Sequence, residues 1–296
     1  MSSKVDASLQ VKIPIIIGPT AVGKSALALK MAQETGAQII SADSMQVYRQ
    51  MNIGTAKPTL EQRQGVVHHL MDIKEPDEEW NMFQFLRSIR ELLAKEQKYI
   101  IVGGTGLYIR SLIYNFQIPE FANNVGLREH YKALAQEKGC EYLHEQLSKV
   151  DAASASRIKP NDEFRLIRAL EVYETIGKKL SEVRSMDTTY AEKFQLICLN
   201  NERKIVYEDI ERRVDIMLSK GLMDEVKGLL DAGYAATLPS MQALGYKEIV
   251  AYLTGSSSLP DAVDLIKKRT RHFAKRQLTW YRSFPNVEWI TMERKG

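Results

Sequence analysis

Three short stretches hold the residue types able to do chemistry, and each closes an apolar run of strand length. The first is Ile13-Pro14-Ile15-Ile16-Ile17-Gly18-Pro19-Thr20-Ala21-Val22-Gly23-Lys24-Ser25. Its spacing, G-x-x-x-x-G-K-[ST] between a strand and a helical pattern, is that of a phosphate-cradling loop. The glycines let backbone N–H groups close around a polyphosphate, and the following helix turns its positive dipole end toward the same anion. Lys24 adds a point charge, and the Ser25 hydroxyl is placed for a magnesium ion. Gly18 to Ser25 is therefore expected to hold a diphosphate or triphosphate with Mg2+. The plainer alternative, an ordinary glycine-rich turn, fits the strand–loop–helix context poorly.

The second stretch, Gln38-Ile39-Ile40-Ser41-Ala42-Asp43-Ser44, delivers a carboxylate and a hydroxyl at the end of a buried strand. In open parallel sheets that end is where ligands bind. Asp43 could hold magnesium or act as a general base, or it could simply cap a helix, since Asp is favoured there. The third stretch, Lys98 to Tyr108, ends in Gly103-Gly104-Thr105-Gly106. A phosphate-loop NTPase places its magnesium-binding Asp at the end of such a strand. Glycines and a hydroxyl stand there instead, which argues against a motor ATPase or a GTPase and suggests a second phosphate-contacting loop.

The elements that position these residues follow from periodicity. Helices are expected over Ala26–Glu34, ended near Gly36, and over Met82–Gln97. Met45 to Pro58, polar-aromatic and glycine-punctuated, reads as a long surface loop or lid. The adjacent His68 and His69 would point to opposite faces of a strand, so a shared metal site is not expected. From about Asn115 to Ser185 the alternation of strand and helix stops. Helices are expected over Leu127–Gly139 and Glu141–Val150, then a third capped by Asn161 and closed by Gly177. Arg165 and Arg168 on that third helix share a face. Phe194–Leu199 restores a strand, and Glu202–Lys220 is a charged helix on which either Arg212 or Arg213 could turn toward the phosphate loop. Lys267 to Arg282 carries seven Lys or Arg and no acid, with Lys267, Arg271 and Lys275 on one stripe. Such a stripe suits a nucleic-acid backbone; an unliganded surface helix is the alternative. The fold class is α/β: a parallel-sheet P-loop core (1–114 and 186–296, ending in a helical segment) interrupted by a helical insertion domain (115–185).

Composition agrees with this. The 296 residues are 44% hydrophobic with a net charge of +4, enough for a full core and only mildly basic. Cys140 and Cys198 lack metal-ligand spacing and read as reduced thiols. No apolar run reaches membrane-spanning length and the first eleven residues lack a signal core, so a cytoplasmic protein without membrane contact is expected.

Together these motifs resemble the tRNA dimethylallyltransferase (tRNA isopentenyltransferase) family. The resemblance covers most of the chain: the P-loop, Asp43-Ser44-Met45-Gln46-Val47-Tyr48, Ile53 to Pro58, His68 to Ile73, Val102 to Tyr108, Asn161-Asp162 with Arg165 to Glu171, Arg213-Val214-Asp215, Leu244 to Lys247, and Ala274 to Trp280. It implies transfer of a dimethylallyl group from its diphosphate to the exocyclic amine (N6) of the adenosine on the 3′ side of a tRNA anticodon. By that resemblance Gly18, Pro19, Thr20, Ala21, Val22, Gly23 and Lys24, with Thr105 and Arg213, hold the leaving diphosphate, and Ser25 helps bind Mg2+. Asp43 takes the amine proton. Ser44, Met45 and Gln46 line the base pocket, while Arg128, Phe164, Arg165, Leu166, Ile167, Arg168, Gln242, Lys247, Arg271 and Lys275 grip the anticodon stem-loop. A monomer is expected. Asp209 departs from the arginine that many members carry, and no cysteine–histidine finger follows Trp289, as in bacterial-type members. Two rival expectations stand beside this one: a P-loop small-molecule kinase using ATP, and a nucleotide-gated RNA-binding module that would not need Asp43.

Overall fold

The computed structural model describes residues 12–116, 125–183, 187 and 189–292. Its centre is one six-stranded sheet in the order β3-β2-β4-β1-β5-β6, every neighbouring pair parallel. The strands are β1 (Ile13–Ile17), β2 (Gln38–Ser41), β3 (His68–His69), β4 (Tyr99–Val102), β5 (Phe194–Asn200) and β6 (Glu288–Thr291). A parallel sheet is covered on both faces, which is why its central strands read as unbroken Ile and Val runs. Ile15, Ile16 and Ile17 have no exposed surface, and all of β4 is buried. Pro14 sits within β1 because the ladder to β4 begins only at Ile15, so no bond to β4 is missing at the proline.

The chain forms two compact units, residues 1–111 with 191–296, and residues 112–190. The second is all helical in its described residues. Helices Val125–Lys138, Cys140–Val150 and Glu163–Ile176 pack Tyr131, Leu143, Leu147, Leu166 and Leu170 into a core of their own. The third of these helices is capped by Asp162, whose side chain accepts the Arg165 N–H, and not by Asn161. Both residues suit the position, and the cap falls on the one directly ahead of the helical run. Gly177 closes it in the left-handed conformation, as the sequence indicates.

In the sheet unit, the segment from Met45 to Pro58 is not a free lid. Val47, Tyr48 and Met51 are buried against Val214, Leu222, Met241 and Tyr246. Glu225, on the helix Leu222–Asp231, accepts the backbone N–H groups of Asn52 (2.9 Å), Ile53 (2.8 Å) and Gly54 (3.1 Å), and the Tyr246 hydroxyl at 2.5 Å. Further along, the buried Lys57 donates to Asp72 and to the Tyr48 carbonyl, both at 2.6 Å. His68 and His69 bond to the Val66 carbonyl and Gln38, respectively, and no metal-holding group of three or more His, Cys, Asp or Glu exists among the described residues.

Glu225 thus anchors the segment that follows Asp43. Glu225→Ala would leave three backbone donors unpaired, and we expect it to lose about 2–3 kcal/mol of stability in urea unfolding. Glu225→Gln, which keeps acceptor oxygen, should lose less than half of that.

Candidate active site

The loops at the carboxyl edge of β1, β2, β4 and β5 meet backbone against backbone. Gly18 adopts φ 148°, and a Cβ there would lie 2.4 Å from the Leu199 carbonyl oxygen of β5. A Cβ on Gly103 would lie 2.3 Å from the Ala42 carbonyl oxygen. Neither position can carry a side chain, so the loops after β1 and β4 seat directly on their neighbours. In the phosphate loop, Lys24 opens the helix Lys24–Thr35 and its Nζ donates to the Gly18 (3.0 Å) and Pro19 (2.8 Å) carbonyls.

The charged helix Arg203–Ser219 brings one arginine to this loop. Arg213 Nη1 donates to the Thr20 hydroxyl at 3.2 Å, whereas Arg212 turns away to Asp209 at 2.6 Å. The choice that sequence leaves open between the two arginines is settled for Arg213. Burial pushes Lys24 down to about 8, and the nearby Arg213 charge adds to the effect while Asp43 opposes it. Burial likewise lowers Arg213. Two cations desolvated side by side are a ready site for a multivalent anion.

Across the edge, Asp43 Oδ1 accepts the Met45 N–H at 2.9 Å and, more weakly, the Gln46 N–H at 3.4 Å. The carboxylate therefore does cap a local turn, but with one oxygen only, and no ion pair engages it among the described residues. Thr105 holds the next residue: its hydroxyl accepts the Ser44 N–H at 3.0 Å and lies 3.3 Å from the Ser44 hydroxyl. Gln46 is fixed by Ser41 (3.0 Å) and by the Thr55 carbonyl (3.2 Å). Lys24, Thr20 and Arg213 thus form an anion-holding half, and Asp43, Ser44, Gln46 and Thr105 form a half that can accept a proton and hydrogen-bond a polar base. Ser25 is exposed at the start of the helix with no hydrogen-bond partner among the described residues. Gly23 is exposed as well, while Pro19 and Val22 pack inward, so their backbone is what they offer a ligand.

The long C-terminal helix Leu259–Tyr281 crosses behind these loops. Its own sequence lacks acids after Asp264, but other helices supply them. Lys267 pairs with Asp215 (2.6 Å), Arg269 with Glu248 (2.6 Å) and Arg271 with Glu211 (2.5 Å). The stripe is therefore neutralised along its first half. Lys268, Lys275, Arg276 and Arg282 remain exposed without an acidic partner among the described residues. Gln242 is exposed and donates to the Ala236 carbonyl, and Lys247 is half-buried.

In the helical unit, Phe164 is 82% exposed and Arg165 pairs with Asp162 at 2.6 Å. Arg128 (3.0 Å) and Arg168 (2.7 Å) flank the fully buried Glu171. Leu166 and Ile167, expected at an RNA surface, are core residues whose side chains face their own helices. The surface of this stretch narrows to Phe164, Arg165 and Arg168. Sequence reasoning gave no role to two residues that organise the sheet unit, Glu225 and Gln277. Gln277 lies within the Ala274 to Trp280 block and is a polar residue on the apolar side of a helix, but neither signal gives it a partner.

A family model described as IPP transferase matches residues 46–284. The tRNA dimethylallyltransferase of Alkaliphilus oremlandii is 44% identical over 287 residues, covering 95% of this chain and 91% of the relative. That of Carboxydothermus hydrogenoformans is 47% identical over 285 residues, covering 94% and 91%. Among solved structures, the tRNA isopentenylpyrophosphate transferase of Bacillus halodurans is 40% identical with a TM-score of 0.67, over 95% of this chain and 89% of that one. A eukaryotic dimethylallyltransferase acting on tRNA is 27% identical with a TM-score of 0.80, over 95% and 73%.

The depressed Lys24 carries a pH dependence with a definite sign. Below about 8 the ammonium is charged and attracts a dianion; above that it is neutral. Methylenedisulfonate, a diphosphate mimic that does not titrate in this range, should bind roughly tenfold more weakly at pH 9 than at pH 7, as the protonated fraction falls. Isothermal titration checks this, and Lys24→Arg should abolish the dependence.

Proposed function

The chain belongs to the IPP transferase family, and from that membership we infer that it modifies tRNA by moving a dimethylallyl group from dimethylallyl diphosphate to the exocyclic amine (N6) of the adenosine 3′ to the anticodon, releasing diphosphate. It is an enzyme, a tRNA prenyltransferase. The observation that carries this reading from family to residues is the pairing of a cationic half, Lys24 with Arg213 and Thr20, with the Asp43 carboxylate on the same sheet edge. The first half suits a leaving diphosphate. The second suits an amine that must lose a proton.

In the reaction, the allylic carbon–oxygen bond breaks as the amine nitrogen bonds to the carbon. Negative charge grows on the diphosphate, where Lys24, Arg213, the Thr20 hydroxyl and the loop N–H groups stabilise it. Asp43 orients the amine and takes its proton through its less engaged oxygen, Oδ2; an aromatic amine is barely basic, so a base in contact is needed. Ser44, Met45 and Gln46 border the base, which must leave the anticodon stack to reach Asp43. Thr105 fixes Ser44 and lies within reach of both substrates. Phe164, Arg165, Arg168, Arg128, Gln242, Lys247 and the unpaired end of the C-terminal stripe at Lys275 hold the RNA, with Arg271 contributing through its shared contact with Glu211.

Magnesium fits the donor set through one hydroxyl, not an acidic cluster: among the described residues Ser25 is unpartnered, and no group of three or more His, Cys, Asp or Glu is placed to hold a metal. Ser25 and the diphosphate oxygens would hold the ion, which would supply charge neutralisation to the leaving group. No described helix is long and apolar enough to cross a membrane, and the protein works on tRNA in the cytoplasm as a monomer. A kinase reading is not favoured: strand β4 ends in Gly103-Gly104-Thr105, without a metal-binding Asp.

Labelled dimethylallyl diphosphate, Mg2+ and unmodified tRNA should give labelled tRNA with no ATP present; label moving from ATP alone would sink the reading. Asp43→Asn should lower kcat by about 10²–10⁴-fold while tRNA binding in a gel shift is retained. Unchanged turnover in that variant would remove Asp43 from the role of base.

A further inference from the structure

We propose that Gln277 is a positioning residue that sets the spacing between the diphosphate-holding loop and the loop facing the acceptor base. The inference rests on the prenyl-transfer reading above. Gln277 lies on the C-terminal helix and is 3% exposed, yet both ends of its amide are hydrogen-bonded. Oε1 accepts the backbone N–H of Thr20 at 2.9 Å, and Nε2 donates to the Gly104 carbonyl at 2.9 Å. One side chain therefore spans the loop after β1 and the loop after β4.

Each partner adjoins a group assigned to substrate. The Thr20 hydroxyl accepts from Arg213 in the cationic half. Gly104 precedes Thr105, whose hydroxyl holds the Ser44 N–H beside Asp43. The fit is tight on the far side as well: a Cβ on Gly104 would stand 2.4 Å from Nε2, and the Tyr281 hydroxyl, one turn on, donates to the same carbonyl at 3.1 Å. The amide also commits the Thr20 N–H, so Thr20 meets the diphosphate through its hydroxyl and not its backbone. A shift of either loop along this bridge alters the distance between the prenyl carbon and the amine, which transfer rates sense steeply.

The test compares wild type, Gln277→Met, which keeps length but loses both hydrogen bonds, and Gln277→Asn, which keeps the amide but is one methylene short. Steady-state transfer from dimethylallyl diphosphate to unmodified tRNA is measured with thermal unfolding as a folding control. Spacing predicts that kcat falls at least tenfold in each folded variant, while KM for either substrate moves less than threefold and the shape of the kcat–pH profile is kept. A merely structural role predicts lower melting temperature with kcat near wild type. The proposal is overturned if either folded variant keeps kcat within twofold, if the loss lies in KM alone, or if neither variant folds. No transfer by the wild type would instead overturn the prenyl-transfer reading on which this one stands.

Discussion

Bare backbone contact at the carboxyl edge of the sheet is the constraint on which the rest depends. Where Gly18 touches the Leu199 carbonyl and Gly103 touches the Ala42 carbonyl, four strand ends come together with no side chain between them. Each strand then delivers its own chemistry into a small space. Strand β1 brings Thr20 and Lys24, β2 brings Asp43, β4 brings Thr105, and the helix after β5 brings Arg213. A parallel sheet whose interior is branched aliphatic holds these ends rigidly, because its strands have no solvated face on which to slide.

Charge is divided in a corresponding way. Along the first half of the basic run on the C-terminal helix, and at Arg49, Arg63 and Lys57, cations meet acids on neighbouring elements. At the phosphate loop they do not: Lys24 and Arg213 stand half-buried near each other, with Asp43 as the carboxylate that offsets them. Desolvated like charges hold stability in reserve for an anion with more than one negative charge.

Much of this was readable in advance where local rules decide. The P-loop, the buried strands, the break into an all-helical segment and the closing Gly177 all follow from spacing and periodicity. What stayed hidden depends on partners far away in sequence. Nothing near Arg271 indicates that Glu211 neutralises it, since the acid comes from another helix. Met45 to Pro58 looks like loose surface because its anchor, Glu225, lies about 170 residues later. Leu166 and Ile167 sit inside a motif with exposed neighbours, and only helix phase separates core from surface there. Arg213 outranks Arg212 by one residue of helical rotation, a difference finer than a sequence pattern resolves.

The bridge from Gln277 to Thr20 joins residues 257 apart, and β6, at residues 288–291, pairs with β5. A chain made from its N-terminus shows its phosphate loop early but cannot clamp it until Gln277, 257 residues after Thr20, has been synthesised. Long-range closure of this kind slows folding and leaves sheet edges open in the meantime. During translation, the central strand β1 therefore waits for β5, and the nascent protein gains a finished reaction centre only once the helix that carries Gln277 has emerged.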